Sequence, residues 1–184
     1  MDTAADIPRQ LNNLIQIGQV SAVDTARALC RVKTGDIHTD WIAWLVPRAG
    51  QTRDWSAPSP GEQVLLLCPG GDMHAAIALR GLYSSAHAAP EQATSKHVTE
   101  YQDGARIEYD HESHCLTATL PAGGTAQLTA DGGITLTGDV TIQGNVQVSQ
   151  TLTAQTDVIG GGISLKGHKH GGIQPGNGKT GAPQ

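Results

Sequence analysis

His168 and His170 flank Lys169 inside Gly167-His168-Lys169-His170-Gly171, and they are the residues of this chain best suited to inorganic chemistry. Residues two apart on an extended segment send their side chains to the same face, roughly 7 Å apart by the strand rise. One chain therefore offers two imidazoles and no more. In isolation such a pair is a solvated stretch of a Gly-rich tail. Repeated around a threefold axis it becomes six imidazoles converging on one point, an octahedral nitrogen set that suits iron, nickel or cobalt better than tetrahedral structural zinc. A site with all six positions filled has no room for substrate, so such an ion would be structural and would couple metal binding to assembly.

Other constellations fail on spacing. Gly178-Lys179-Thr180 has the ending of a phosphate-binding loop, but Ile173 stands where the first Gly is needed and too few residues follow to form a helix. His111, His114 and Cys115 lie near Asp110 and Glu112, yet strand alternation would send the two histidines to opposite faces, which reads as a polar join between modules. The five Glu are scattered, and no Ser-His-Asp or paired-carboxylate arrangement can be assembled, so the chain is read as a non-enzyme.

The elements that must position the histidines precede them. Leu128, Ile134, Val140, Val146, Leu152 and Val158 recur every six residues, and Ala130, Leu136, Ile142, Val148 and Ala154 follow the first five by two. Even positions are apolar or small, while odd ones are mostly Thr, Gln, Asp or Asn, the alternation of a strand with one dry face. A six-residue unit cannot bury its own apolar face, so the repeat predicts a stacked or wound β architecture. About five or six units are too few for a single-chain β-helix. Three identical chains wound around a common axis would supply the missing partners and remove the open edges, with Gly132, Gly138 and Gly144 making room near the axis. Gly160-Gly161-Gly162 ends the register, and Ile163 and Leu165 shift the apolar phase to odd positions.

Composition divides the 184 residues in two. Trp41, Trp44, Trp55, Tyr83, Tyr101 and Tyr109 are all in the first part, whereas residues 116–184 carry no Phe, Trp or Tyr and hold 15 of the 23 Gly, so no ordinary globular core can form there. The whole net charge of −5 also lies in the first part, which holds 9 Lys and Arg against 14 Asp and Glu up to residue 115. An acidic total without a basic face argues against nucleic-acid binding. Cys30, Cys68 and Cys115 are odd in number and unclustered, as expected of a protein without a disulfide framework made in a reducing compartment. The opening Met-Asp-Thr-Ala-Ala-Asp lacks a basic n-region, and no apolar run approaches about 18 residues, so neither signal peptide nor membrane span is expected.

Between residues 17 and 83, short strand-like runs alternate with turn signals, and about five strands predict a small closed barrel of the OB type. Trp41 and Trp44 are assigned to its core. The organisation expected is an all-β chain. A lead covers residues 1–15, an OB-fold-like barrel 16–84 and a neck 85–104. A homotrimeric intertwined β-helix follows over 105–165, and residues 166–184 form an apex with the metal motif at His168 and His170.

The run Gly18-Gln19-Val20, the segment from Trp44 to Gly50, then Trp55, Pro60-Gly61-Glu62-Gln63-Val64-Leu65, Pro69-Gly70-Gly71-Asp72 and Gly81-Leu82-Tyr83-Ser84, together with the His-x-His-Gly-Gly apex, resemble the baseplate assembly protein V family. These are the central spikes of contractile phage tails and R-type tailocins. The resemblance implies a homotrimer held by its OB domains to the tail hub and baseplate, with a needle that pierces the outer membrane of the target cell on sheath contraction. It also implies one iron ion per trimer, bound by the six imidazoles of His168 and His170 from three chains. The rival reading is a host-attachment fibre with a β-helical shaft, which would need an aromatic-bearing tip for sugars. No Phe, Trp or Tyr occurs beyond Tyr109.

Overall fold

The computed structural model describes residues 6–169 together with Gly172 and Gly176. Its contacts divide the chain into two units, residues 1–127 and 128–184.

The first unit opens with helix α1, Asp6–Asn13, and leads into strand β1, Ile15–Asp24. There follow β2 (Leu29–Thr34), the short β3 (Ile37–His38), β4 (Ile42–Trp44), β5 (Gln63–Leu67) and β6 (Ile77–Leu82). β1 pairs antiparallel with both β2 and β5, β5 pairs with β6, β6 runs parallel to β4, and β4 pairs with β2. The order β1-β5-β6-β4-β2 thus returns to β1, and the five strands close into an OB-like barrel with β3 added at the rim beside β2. Closure gives each of the five barrel strands two neighbours, β1 meeting β5 along Ile15–Gln19 and β2 along Gln19–Asp24.

Alternation fills the interior. Val20 of β1, Cys30 and Val32 of β2, Ile42 and Trp44 of β4, Val64 and Leu66 of β5 and Ala78 of β6 are buried together, with Cys68 and Ala76 sealing the end. Burial pushes the Cys30 thiol up to about 11, with the nearby Glu62 charge adding to the effect, so this sulfur is inert packing. At the β2 turn the Thr39 hydroxyl accepts the Val32 N–H (3.0 Å) and donates to the Asp40 carbonyl (2.8 Å), which satisfies the polar atoms of a buried residue. Trp44 meets Trp55 edge to face at 5.7 Å between ring centres. Trp41 departs from its expected place in the core. It is only partly buried, and the guanidinium groups of Arg27 and Arg31 lie 5.1 and 5.0 Å from its ring centre. β4 begins one residue later, at Ile42, and alternation from there buries Ile42 and Trp44 while leaving Trp41 on the outside.

Beyond the barrel, β7 (Lys96–Glu100), β8 (Arg106–Asp110) and β9 (Cys115–Thr119) form an antiparallel meander. β7 falls within the stretch expected to form the neck. One face carries an ion network: Arg106 reaches Glu91 (2.7 Å) and Glu108 (2.9 Å), and Lys96 reaches Glu108 (2.9 Å). His111 and His114 sit in the β8–β9 turn, with His114 at φ 55°, so strand alternation does not govern them.

From residue 120 to residue 158 no strand forms within the chain. The backbone there is closed by local turns, Gly124 N–H to Pro121 O (2.8 Å) and Gly133 N–H to Ala130 O (3.0 Å). The large apolar hexad residues are exposed in the single chain, from 40% at Val158 to 74% at Leu128.

Candidate metal centre

In the second unit the chain returns to strand pairing in a small hairpin, β10 (Ile159–Gly160) and β11 (Ile163–Ser164), paired Ile159 with Ser164 and Gly160 with Ile163. Gly161 and Gly162 form its two-residue turn at φ 57° and 83°, the left-handed pair that only Gly adopts without strain and that matches the twist of the flanking strands.

Asp157 holds the two arms at their base. One carboxylate oxygen accepts the N–H of Val158 (2.8 Å) and the N–H of Lys166 (3.0 Å), while Leu165 N–H donates to the Val158 carbonyl (2.8 Å). The nearby Ser164 hydroxyl, followed by the backbone donors, holds the Asp157 carboxyl below its ordinary range.

His168 follows the turn at 165–167 and is exposed. Its backbone N–H donates to the Ser164 carbonyl (3.1 Å), and its ring Nδ1 lies 3.2 Å from the same oxygen and 3.0 Å from the Leu165 carbonyl. Gly167 N–H donates to Ser164 Oγ at 2.7 Å. His168 therefore leaves a hydrogen-bonded turn rather than a continuous strand. His170 lies outside the described residues.

The donor chemistry fits a metal. An exposed imidazole with one ring nitrogen held by backbone carbonyls is the usual state of a metal-binding histidine. Among the described residues no three His, Cys, Asp or Glu gather into a metal cluster within one chain. A His-x-His pair from a single chain would leave an octahedral ion four ligands short.

Sequence reasoning singled out the histidines as candidate ligands and passed over Asp157 and Ser164. The signal for them was faint: an Asp before a triple Gly and a Ser after it, which is how a capped two-residue hairpin reads. It equally missed an apolar cleft in the first unit, lined by Trp44, Val46, Arg48, Arg53 and Trp55 on the long β4–β5 connection.

Comparison with known proteins ties both units to one lineage. Residues 16–83, which span the barrel, match the Type VI secretion system/phage-baseplate injector OB domain, and residues 162–184 match the GpV Apex motif. The spike protein of Escherichia phage P2 is 35% identical over an alignment of 214 residues that covers 100% of this chain and 100% of that protein. With a closed OB barrel at one end of the sequence, an apex motif at the other and full-length similarity joining them, the chain belongs to the phage baseplate spike protein family.

Proposed function

We propose that this protein is the central spike of a contractile tail, a homotrimer whose repeat winds into a needle and whose apex is closed by a metal ion. The observation that carries the reading is the state of residues 120–158 in one chain: a strict apolar hexad, exposed, with a backbone that pairs with nothing across a strand ladder. Leaving that many peptide groups and side chains unpartnered is unfavourable, and copies of the same chain are the partners whose period matches. Three chains close a narrow prism in which Leu, Ile and Val face inward and Thr, Gln and Asn face outward.

The role is mechanical. Interwound strands separate only by unwinding together, which suits axial load, and the needle surface is neutral, so lipid headgroups gain little grip. On sheath contraction the needle would be driven through the outer membrane of the target cell, while the barrels stay with the hub and other baseplate proteins. No helix among the described residues is long and apolar enough to cross a membrane, so helix insertion is not the route. The reading contains no catalytic step.

At the apex, His168 and His170 from three chains would hold one iron ion in an all-imidazole octahedron. Such an ion supplies a fixed point that ties three chain ends together where fraying is otherwise greatest.

Native mass spectrometry tests oligomer and metal together. The expected species has three times the 19.1 kDa chain mass plus one transition-metal ion. His168→Ala with His170→Ala should remove the ion and leave the trimer, because the hexads supply most of the buried apolar surface. A monomeric wild type would overturn the wound-chain reading, and a metal-free trimer would overturn the apex site alone.

A further inference from the structure

We infer that Ser164, anchored by Asp157, is a positioning residue for the apex metal, fixing the His168 ring so that Nε2 makes the metal bond. The inference rests on the proposed role of His168 as a ligand.

An imidazole can bind metal through either nitrogen, and six rings can share one ion only if all use the same one. Nδ1 of His168 lies 3.0 Å from the Leu165 carbonyl and 3.2 Å from the Ser164 carbonyl. Carbonyl oxygens only accept, so Nδ1 carries the proton and donates; in the neutral ring the lone pair is then on Nε2. The ligand nitrogen is thereby chosen before any metal arrives.

What holds those carbonyls is Ser164. Its Oγ accepts Gly167 N–H at 2.7 Å, which closes the turn between residues 164 and 167. The Asp157 carboxylate accepts the N–H groups of Val158 and Lys166, on opposite arms of the hairpin. One acidic group therefore sets the arm separation, the arm sets the serine, and the serine sets the turn that presents His168. Gly167 completes the fit, since a Cβ there would sit 3.1 Å from Ser164 Oγ, closer than a side chain comfortably approaches. Neither Asp157 nor Ser164 touches the ion. Both act through His168, as outer partners of metal-bound histidines commonly do.

The test uses the full-length protein and iron(II). Ring nitrogen chemical shifts of the metal-free protein should show His168 as the Nδ1–H tautomer, and Ser164→Ala should mix the two tautomers. Iron retention against a chelator should fall about 10- to 100-fold in Ser164→Ala, the usual effect of removing an outer-shell partner. Asp157→Asn should have a smaller effect, and Ser164→Thr, which keeps the hydroxyl, should restore both readouts. Trimer mass by native mass spectrometry separates a loosened turn from a lost fold. If wild type binds iron, His168→Ala loses it and Ser164→Ala keeps both tautomer and retention, the positioning role is wrong while the metal site stands. If wild type binds no iron, the metal site and the positioning role fall together.

Discussion

The barrel and the hexad repeat are both built from alternating strands, yet they solve the problem of the dry face in opposite ways. In the barrel, Val20, Val32, Val64 and Leu66 point to one interior within a single chain, and β1 bonds to both of its neighbours when the ring closes. In the repeat, Leu136, Ile142, Val146 and Val148 alternate equally well but stay exposed, and no strand pairs with them among the described residues. The difference lies in turns. The barrel strands are joined by reversals that bring the chain back against itself, as where the Asp24 carboxylate caps the β1–β2 turn at Ala26 and Arg27. The hexads contain local turns, as at residues 130–133, but none that brings a second strand alongside, so the partners proposed for them are other chains. Alternation specifies a dry face; turn chemistry decides whether the chain itself can cover it.

The comparison can be broken most sharply by placing charge on one side of it. Val146→Asp would put three carboxylates near the axis of the proposed trimer, and uncompensated buried charges cost several kcal/mol each. The expected outcome is monomer by native mass spectrometry with the barrel's near-ultraviolet tryptophan signal intact; a surviving trimer would show that Val146 does not face the axis. The reciprocal change, Leu66→Ala, opens a cavity in the closed core and should destabilise the barrel by about 2–5 kcal/mol in denaturant melts monitored by tryptophan fluorescence. The trimer should persist in that variant. A simultaneous loss of both units would mean that they fold as one.

Smaller effects sharpen the boundary between the two regions. The meander β7–β9 carries the ion network in which hydrogen bonds from Lys96 and Arg106 hold Glu108 low. Glu91 is held low by the backbone N–H groups of Gln92 and Ala93 and then by Arg106. A depressed carboxylate stabilises the fold above its ordinary value near 4.5 and loses that contribution as pH falls through the lower folded value. Lys96 is raised by Glu108, so its contribution is complete below its ordinary 10.5 and disappears only as pH rises past the raised value. Thermal melts should therefore plateau across neutral pH and fall on the acid side, and Glu108→Gln should flatten the acid limb. An unchanged acid limb would remove the network from the stability of the meander. The smallest effect is expected at Trp41, where replacement by Leu removes two cation–π contacts worth about 0.5–1 kcal/mol each at exposed sites. A loss as large as that of Leu66→Ala would show Trp41 to be core after all.

Much of this was legible from residue order. Period-two alternation between turn signals located the barrel strands, because a dry face leaves its mark on every second residue. His168 and His170 stood out because a symmetric repeat gave their spacing a meaning. Trp41 was misplaced because it lies an odd number of residues from Trp44, so the alternation that buries Ile42 and Trp44 turns Trp41 outward. β7 escaped notice because Lys96–Glu100 is polar and half-exposed, and its strand state comes from pairing with β8.

By itself, the sequence determined which faces must be dry and where the candidate ligand histidines lie along the chain, since both follow from side-chain chemistry and a fixed backbone period. Only the tertiary structure decided how the barrel closes, through the parallel β4–β6 pair that joins residues more than thirty apart in sequence. It also decided which nitrogen of His168 is engaged. Asp157 and Ser164 are seven residues apart, and only the turn at Gly161 and Gly162 brings the Asp157 carboxylate to the Lys166 N–H beside the Ser164–Gly167 bond and the His168 ring. Hydrogen-bond geometry depends on where the backbone goes, and no local pattern of residue types encodes that.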